Sequence, residues 1–256
     1  MRYVRFAVEE VLSFGELMPD GRIQPLDQAP YAGGKPVGSP VDPSSVRLVA
    51  PCEPTKIIAI GKNYHDHIKE FDAVTPETPI LFIKPNTAIN DPDGTIQLPP
   101  HQVSQRIDYE GELALVIARK AKKVRAEDAL SYVQGYTILN DVTARDIQKR
   151  DGQWTRAKGM DGFSPIGPLV TDEIDPEHVG IRTRLNGKVV QESNTEYLIW
   201  NITQLIEFIT ETITLLPGDV VTTGTPAGVG PMVDGDVVEI EVDGIGVLRN
   251  TVKAAI

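Results

Sequence analysis

Short apolar runs bounded by glycine and proline recur along the chain, and they constrain its fold more than any other feature. Residues 56–60 and 80–84 are runs of this kind, which are typical of buried strands. Residues 111–118 are apolar on both faces, which predicts a central strand covered on both sides. Residues 181–185 alternate in polarity before Asn186-Gly187, a dipeptide typical of a tight hairpin turn. The chain is therefore predicted to be rich in short strands.

Helical periodicity is scarce by comparison. Residues 201–213 give the clearest signal, because their apolar residues recur at helical spacing. Shorter helices are predicted over residues 126–133 and 142–150. Since no regular alternation of strand and helix appears, we predict an α+β fold built on a mixed, curled sheet.

The first part of the chain differs in composition from the rest. Residues 1–26 read as short strands with a turn at Pro19-Asp20-Gly21, and residues 27–43 are rich in proline, glycine and serine. We therefore predict a small β-rich domain plus linker over residues 1–45 and a catalytic domain over residues 46–256. The first segment is too short to hold a core of its own unless it packs on the second.

Charge and composition exclude several classes of function. The formal charge is −11, from 25 basic and 36 acidic residues, which argues against a nucleic-acid partner. No apolar run approaches the roughly 18 residues of a membrane helix, so no membrane association is expected. Cys52 is the only cysteine, and no signal peptide is visible near the start. The expected location is the cytoplasm.

Paired carboxylates are the first candidate for chemistry. Glu110 and Glu112 are two residues apart in a predicted strand, so they share a face and repel each other unless a cation joins them. The alternative is a solvated strand end. Asp141 follows another predicted strand, where it is either a third ligand or the N-cap of a helix. Three carboxylates together would suit Mg²⁺ or Mn²⁺.

A histidine and a glutamate form the second candidate. His67 and Glu70 are three residues apart, so a short helix would bring them onto one face. A carboxylate against the imidazole fixes its tautomer and raises its basicity, as a general base acting on water requires. An incidental pair on a surface helix is the alternative reading.

A glycine-rich stretch over residues 224–230 is the third candidate. It lacks the Gly-Lys-Ser/Thr of a nucleotide-binding loop, and Pro226 removes one backbone donor. We predict a tight turn that offers Thr225 and backbone N–H groups to a substrate carboxylate.

The order of these motifs resembles the fumarylacetoacetate hydrolase family from about residue 55 to the C-terminus. The motifs that carry the resemblance, in chain order, are Ile60-Gly-Lys-Asn-Tyr-x-x-His67, Phe82-Ile-Lys-Pro85, Asp108-Tyr-Glu-Gly-Glu-Leu113, Asn140-Asp-Val-Thr-Ala-Arg-Asp146, Lys158 with Asp161, and Thr223-Gly-Thr-Pro-x-Gly-Val-Gly230. Two stretches depart from the family pattern, residues 159–160 and 194–200, so the substrate is left open.

The resemblance implies a fold, a ligand set and roles for single residues. It implies a mixed β-roll, usually as a homodimer, and Mg²⁺ as cofactor with Mn²⁺ or Ca²⁺ as substitutes. The residues it assigns are the metal ligands Glu110, Glu112 and Asp141, the catalytic residues His67, Glu70 and Lys158, and the substrate-binding residues Gln148, Gly224 and Thr225. His67 and Glu70 would lie on a lid-like segment.

The activity predicted from the residues and the resemblance is metal-dependent C–C bond cleavage of a small anionic 3-oxo carboxylic acid through an enolate. Cleavage would be hydrolysis of an acylpyruvate or decarboxylation of an oxaloacetate-type acid. The alternative within the family is an isomerase of 2-hydroxyhepta-2,4-diene-1,7-dioate or a decarboxylase of 5-oxopent-3-ene-1,2,5-tricarboxylate, enzymes of aromatic catabolism. A non-catalytic metal- or metabolite-binding protein is the remote alternative.

Overall fold

β-Strands form most of the regular structure in the computed structural model, which describes residues 1–70 and 74–255. The strands, in chain order, are β1 Arg2–Val8, β2 Val11–Leu17, β3 Ile23–Leu26, β4 Arg47–Val49, β5 Ile57–Gly61, β6 Ile80–Lys84, β7 Ile89–Asn90, β8 Thr95–Gln97, β9 Ile107–Tyr109, β10 Gly111–Ile117, β11 Val133–Asn140, β12 Thr143–Ala144, β13 Ser164–Thr171, β14 Gly180–Leu185, β15 Lys188–Asn194, β16 Val220–Thr222, β17 Gly230–Pro231, β18 Val237–Val242 and β19 Gly246–Lys253.

The helices are short and scattered between the strands. They are α1 His65–Glu70, α2 Arg145–Asp151, α3 Thr155–Lys158 and α4 Ile202–Thr212, with 3₁₀ turns at Pro30–Ala32, Pro43–Ser45, Asn86–Ala88, Ala126–Tyr132 and Thr195–Tyr197. Within the described ranges, none of them has the length and apolar character needed to cross a membrane.

One large mixed sheet organises the molecule. Its strands run in the order β3-β2-β1-β13-β11-β10-β16-β5-β6, with β4 added on β1 and β7 on β13. The central strand β10 is buried along its whole length, as its sequence predicts. Leu113, Leu115 and Ile117 enter the larger apolar core on one face, and Ala114 and Val116 enter a second core on the other. The predicted α+β class is confirmed.

Two smaller sheets complete the strand architecture. One runs β15-β14-β18-β19-β8, and the other runs β12-β9-β17. The hairpin between β14 and β15 turns at Asn186 and Gly187, which have φ angles of 52° and 78°. Both residues tolerate this left-handed backbone, which explains why the dipeptide predicted the hairpin correctly.

The N-terminal segment is joined to the main sheet. β1 pairs antiparallel with β13, and Val4 and Phe6 belong to the larger core. Residues 27–43 fold back along β3 through the isolated bridges Ile23↔Val41 and Leu26↔Pro36. The segment therefore packs on the rest of the chain, as its small size requires. The division of the chain at residue 45 stays a prediction.

The helices differ in part from those predicted from local sequence pattern. The helix predicted over residues 142–150 begins only at Arg145, because Thr143 and Ala144 pair with β9 as strand β12. The helix predicted over residues 126–133 is a 3₁₀ helix, Ala126–Tyr132. α4 begins one residue after its predicted start, at Ile202, and Asn201 and Gln204 form a capping box at its N-terminus.

Candidate active site

Three buried carboxylates meet where β9, β10 and β11 come together. Glu110 occupies the one-residue gap between β9 and β10, Glu112 lies on β10, and Asp141 follows β11. The backbone N–H of Asp141 donates to the carbonyl of Glu110 at 2.8 Å, which holds the two chain segments together. One oxygen of each carboxylate lies within 4.8 Å of the others. Since α2 begins at Arg145, Asp141 is not its N-cap.

Lys158 connects two of these carboxylates. Its Nζ donates to Glu110 Oε2 at 2.8 Å, to Asp141 Oδ2 at 2.6 Å and to Thr143 Oγ1 at 2.9 Å. The side chain is buried, which by itself lowers the pKa of Lys158, but the charges of Asp141 and Glu110 outweigh burial and raise the pKa. Lys158 is therefore a charged ammonium inside the acidic cluster.

Two further cations contact the same cluster, and neither was assigned a role from the sequence. Lys84, buried at the end of β6, donates to Asp141. Arg145 donates to Glu110, and its Nε donates to Asp108 at 2.9 Å. A lysine ending a buried strand and an arginine at a helix start were visible in the sequence. Their partners were not, because they lie 57, 35 and 37 residues away.

Glu112 differs from its two neighbours in its electrostatic surroundings. Within the described residues, no ion pair joins it to a cationic side chain, and its Oε2 accepts the backbone N–H of Gly224 at 3.1 Å. Burial raises the pKa of Glu112 well above its ordinary value, and the charges of Asp141 and Glu110 raise it further.

Glu110 shows the opposite shift. Burial alone would raise its pKa, but Lys158 and Arg145 outweigh burial and lower it. Glu112 is therefore the carboxyl of the cluster that holds a proton most readily, and it has no protein counter-ion when it ionises. Three hard oxygen donors, one of them without a protein counter-ion, fit a divalent cation, with Glu110, Glu112 and Asp141 as the residues that would hold it.

The predicted histidine–glutamate pair forms on α1. His67 Nδ1 lies 3.1 Å from Glu70 Oε2, and Glu70 Oε1 accepts the backbone N–H of Gly228 at 3.1 Å. Glu70 therefore links α1 to the glycine-rich loop. His67 is buried, whereas His65 and Asp66 are exposed. When Nδ1–H donates to Glu70, the lone pair of the ring is on Nε2.

The glycine-rich loop makes side-chain and backbone contacts with β10. The N–H of Gly224 donates to Glu112 and so supports an acidic side chain. Thr225 Oγ1 donates to the carbonyl of Gly111 at 2.9 Å and accepts from Gln191 Nε2 at 2.9 Å. Contacts of Gly224 and Thr225 with substrate stay predictions.

A cavity of about 270 Å³ opens above the acidic cluster. Six of the nine predicted site residues line it: His67, Glu110, Glu112, Gln148, Lys158 and Thr225. The other three, Glu70, Asp141 and Gly224, contact the lining residues His67, Lys158 and Glu112. Gln148 Oε1 accepts from Arg145 Nη1 at 2.7 Å, so its amide N–H groups are the part that can donate to a ligand.

Trp154 closes one side of this cavity. Its ring packs edge-to-face on Phe82 with centroids 5.3 Å apart. A Cβ on Gly61 would lie 2.4 Å from the ring, so glycine is the residue that allows the indole to reach this position. The enclosed volume therefore suits a small molecule.

Comparison with known proteins gives two regions of family similarity. The model described as fumarylacetoacetate (FAA) hydrolase C-terminal matches residues 56–253. A second model, described as Rv2993c-like, N-terminal, matches residues 1–51.

Individual relatives agree with the first match. A protein of Archaeoglobus fulgidus is 54% identical over 84% of this chain and 85% of its own. Oxaloacetate tautomerase fahd2, mitochondrial, of Xenopus laevis is 45% identical over 82% of this chain and 69% of its own. The crystal structure of 5-carboxymethyl-2-hydroxymuconate delta-isomerase from Mycobacterium smegmatis is 45% identical, covers 100% of both chains and has a TM-score of 0.92. Together with the motifs and the buried acidic cluster, these matches establish that the chain belongs to the fumarylacetoacetate hydrolase family.

Proposed function

We propose that this chain is a Mg²⁺-dependent enzyme that forms and protonates the enolate of a small 3-oxo acid. The observation that carries the proposal is that His67 opens on the same cavity as Glu110 and Glu112. This shared cavity supports a role for His67 as a general base beside residues suited to a divalent ion. Such an ion, when bound, would stabilise negative charge on the substrate oxygens.

The protein's own residues would handle the proton. In the tautomer fixed by Glu70, Nε2 of His67 would take the proton from the substrate carbon and deliver it to the enolate oxygen, or carry it in the reverse direction. The N–H groups of Gln148 would donate to a substrate oxygen. Lys158 and Arg145 hold Glu110 in its ionised form, because both contact its carboxylate.

Keto–enol interconversion is the reaction we favour. This reaction needs only one base and an enolate. Two of the relatives are named as a tautomerase and an isomerase, and both names describe reactions that move a proton. C–C bond cleavage, which was favoured from the sequence, stays the second candidate because the same His67–Glu70 pair is suited to activate water.

A panel of substrates would separate the two reactions. We expect Mg²⁺-dependent conversion of enol oxaloacetate to its keto form, blocked by EDTA. Acylpyruvates run in H₂¹⁸O test hydrolysis, since cleavage would place one solvent oxygen in the released acid. Pyruvate formed from oxaloacetate would indicate decarboxylation. Absence of Mg²⁺-dependent turnover of every 3-oxo acid would refute the proposal.

A further inference from the structure

Two lysines at the cavity have no role in the proposed chemistry. Lys62, directly after β5, and Lys149, on α2, both line the cavity. We propose that they recognise the second carboxylate of a dicarboxylic substrate. This inference rests on the proposed function and specifies its substrate class as 3-oxo diacids.

The charges around the cavity support this assignment. Arg145 and Lys158 are neutralised by buried carboxylates, and Lys84 behind them contacts Asp141. In the described part of the chain, the ammonium groups of Lys62 and Lys149 form neither an ion pair nor a hydrogen bond. They are thus the cavity cations whose charge is available to an anionic ligand. In a chain of formal charge −11, such cations also offset the repulsion that a dianion meets.

The backbone of Lys62 gives a second, independent observation. Its φ angle is 57°, in the left-handed region that glycine adopts at little cost and lysine does not. The adjacent Asn63 fixes this conformation, because its side chain bonds to the backbone of Trp200 at 3.0 and 2.9 Å and to the carbonyl of Thr223 at 2.8 Å. If only the backbone conformation mattered at position 62, glycine would be sufficient there. A lysine held in this strained position at a cavity points to a use for its side chain.

Lys149 belongs to the helix that presents the substrate-facing amide. It directly follows Gln148, and it lies one helical turn beyond Arg145, whose guanidinium orients that amide. Gln148 and Lys149 both line the cavity, and Lys149 is exposed, so its side chain is accessible to a ligand bound there.

The test compares matched dianions and monoanions in four proteins: wild type, Lys62→Gly, Lys149→Gln and Lys188→Gln. Lys188 is an exposed lysine of the β14–β15 hairpin, so its variant controls for the change in net charge. Binding of 2-oxoglutarate and 2-oxopentanoate, which differ in the distal carboxylate, is measured by calorimetry with Mg²⁺ present. The KM for oxaloacetate and acetylpyruvate is measured in parallel.

We expect wild type to prefer 2-oxoglutarate, and Lys62→Gly and Lys149→Gln each to weaken its binding about five- to tenfold, the scale of a partly exposed charge-assisted contact. Binding of 2-oxopentanoate should change less than about twofold, and Lys188→Gln should behave as wild type. Lys62→Gly should melt within about 3 °C of wild type, because glycine fits the backbone of residue 62.

The inference would be overturned if wild type binds both anions equally or binds neither. It would also be overturned if the two cavity variants lose equal affinity for both anions. A preference for the dianion without turnover of any 3-oxo acid would refute the proposed function and leave the assignment of the lysines standing.

Discussion

Replacing Lys158 with methionine removes the ammonium that joins Glu110 to Asp141 and leaves the apolar stem of the side chain in place. Two carboxylates that are at most 4% exposed then lose a shared partner. Removing one partner of a buried ion pair costs about 3–5 kcal/mol, because the other charge stays buried. For a chain of this size, 1 kcal/mol corresponds to about 2–4 °C in Tm, so the metal-free variant should melt roughly 6–20 °C below wild type.

Added Mg²⁺ should reverse much of this loss. The divalent ion supplies the positive charge that the variant lacks, so the increase in Tm on moving from EDTA to excess Mg²⁺ should be larger in Lys158→Met than in wild type. Thermal unfolding followed by circular dichroism in both conditions measures this difference.

Lys56→Met is the matched control. Lys56 contacts the fully buried Asp219, so its loss also removes an ammonium from a buried carboxylate. Asp219 keeps hydrogen bonds from Thr55 and Leu216 and belongs to no cluster of three potential ligands among the described residues. Mg²⁺ should therefore not rescue this variant. Stabilisation of Lys158→Met by Mg²⁺ that is no larger than that of wild type would refute the assignment of the cation site.

Three further predictions concern the ligand set, pH and the main helix. Glu112→Gln should keep the fold in EDTA but lose stabilisation by Mg²⁺, and unchanged Mg²⁺ affinity in calorimetry would contradict the ligand assignment. Because burial, Asp141 and Glu110 raise the folded-state pKa of Glu112 above its unfolded value, the folded protein binds the extra proton. The free energy of unfolding in EDTA should therefore fall as pH rises above about 4.5. Denaturant titrations at several pH values measure this dependence, which should be weaker in Glu112→Gln than in wild type. Asn201→Ala should cost about 1 kcal/mol, or about 2–4 °C in Tm, through loss of the capping box, with kcat unchanged; a normal Tm would show that the cap contributes nothing.

Local sequence pattern was sufficient to predict the structural features that depend on a single segment of the chain. The buried strand β10, the helix α4, the Asn186-Gly187 hairpin and the spacing of His67 and Glu70 all follow from residues within a few positions of each other. The β-rich character, and with it the α+β class, follows from such segments.

Contacts between distant segments were not predictable in the same way. Arg145 and Lys84 reach the acidic cluster only because β6, β9 and the residues after β11 converge in the fold. Thr143 forms a strand because Asp108 is its partner, and the pairing of β1 with β13 joins residues about 170 apart in sequence. The N–H of Gly224 faces Glu112 for the same reason. Which cations remain available to a ligand could be decided only after these pairs were known.

The central claim is that His67 and the acidic cluster act on one substrate in one cavity. The measurement that tests it most directly is the rate at which enol oxaloacetate converts to its keto form, followed by loss of the enol absorbance. We predict that the enzymatic rate requires Mg²⁺ and falls about 10²- to 10⁴-fold in His67→Ala, the scale for loss of a general base. Mg²⁺ stabilisation should be unchanged in that variant, because His67 is not a proposed ligand. Equal rates in His67→Ala and wild type, at saturating Mg²⁺, would contradict the claim.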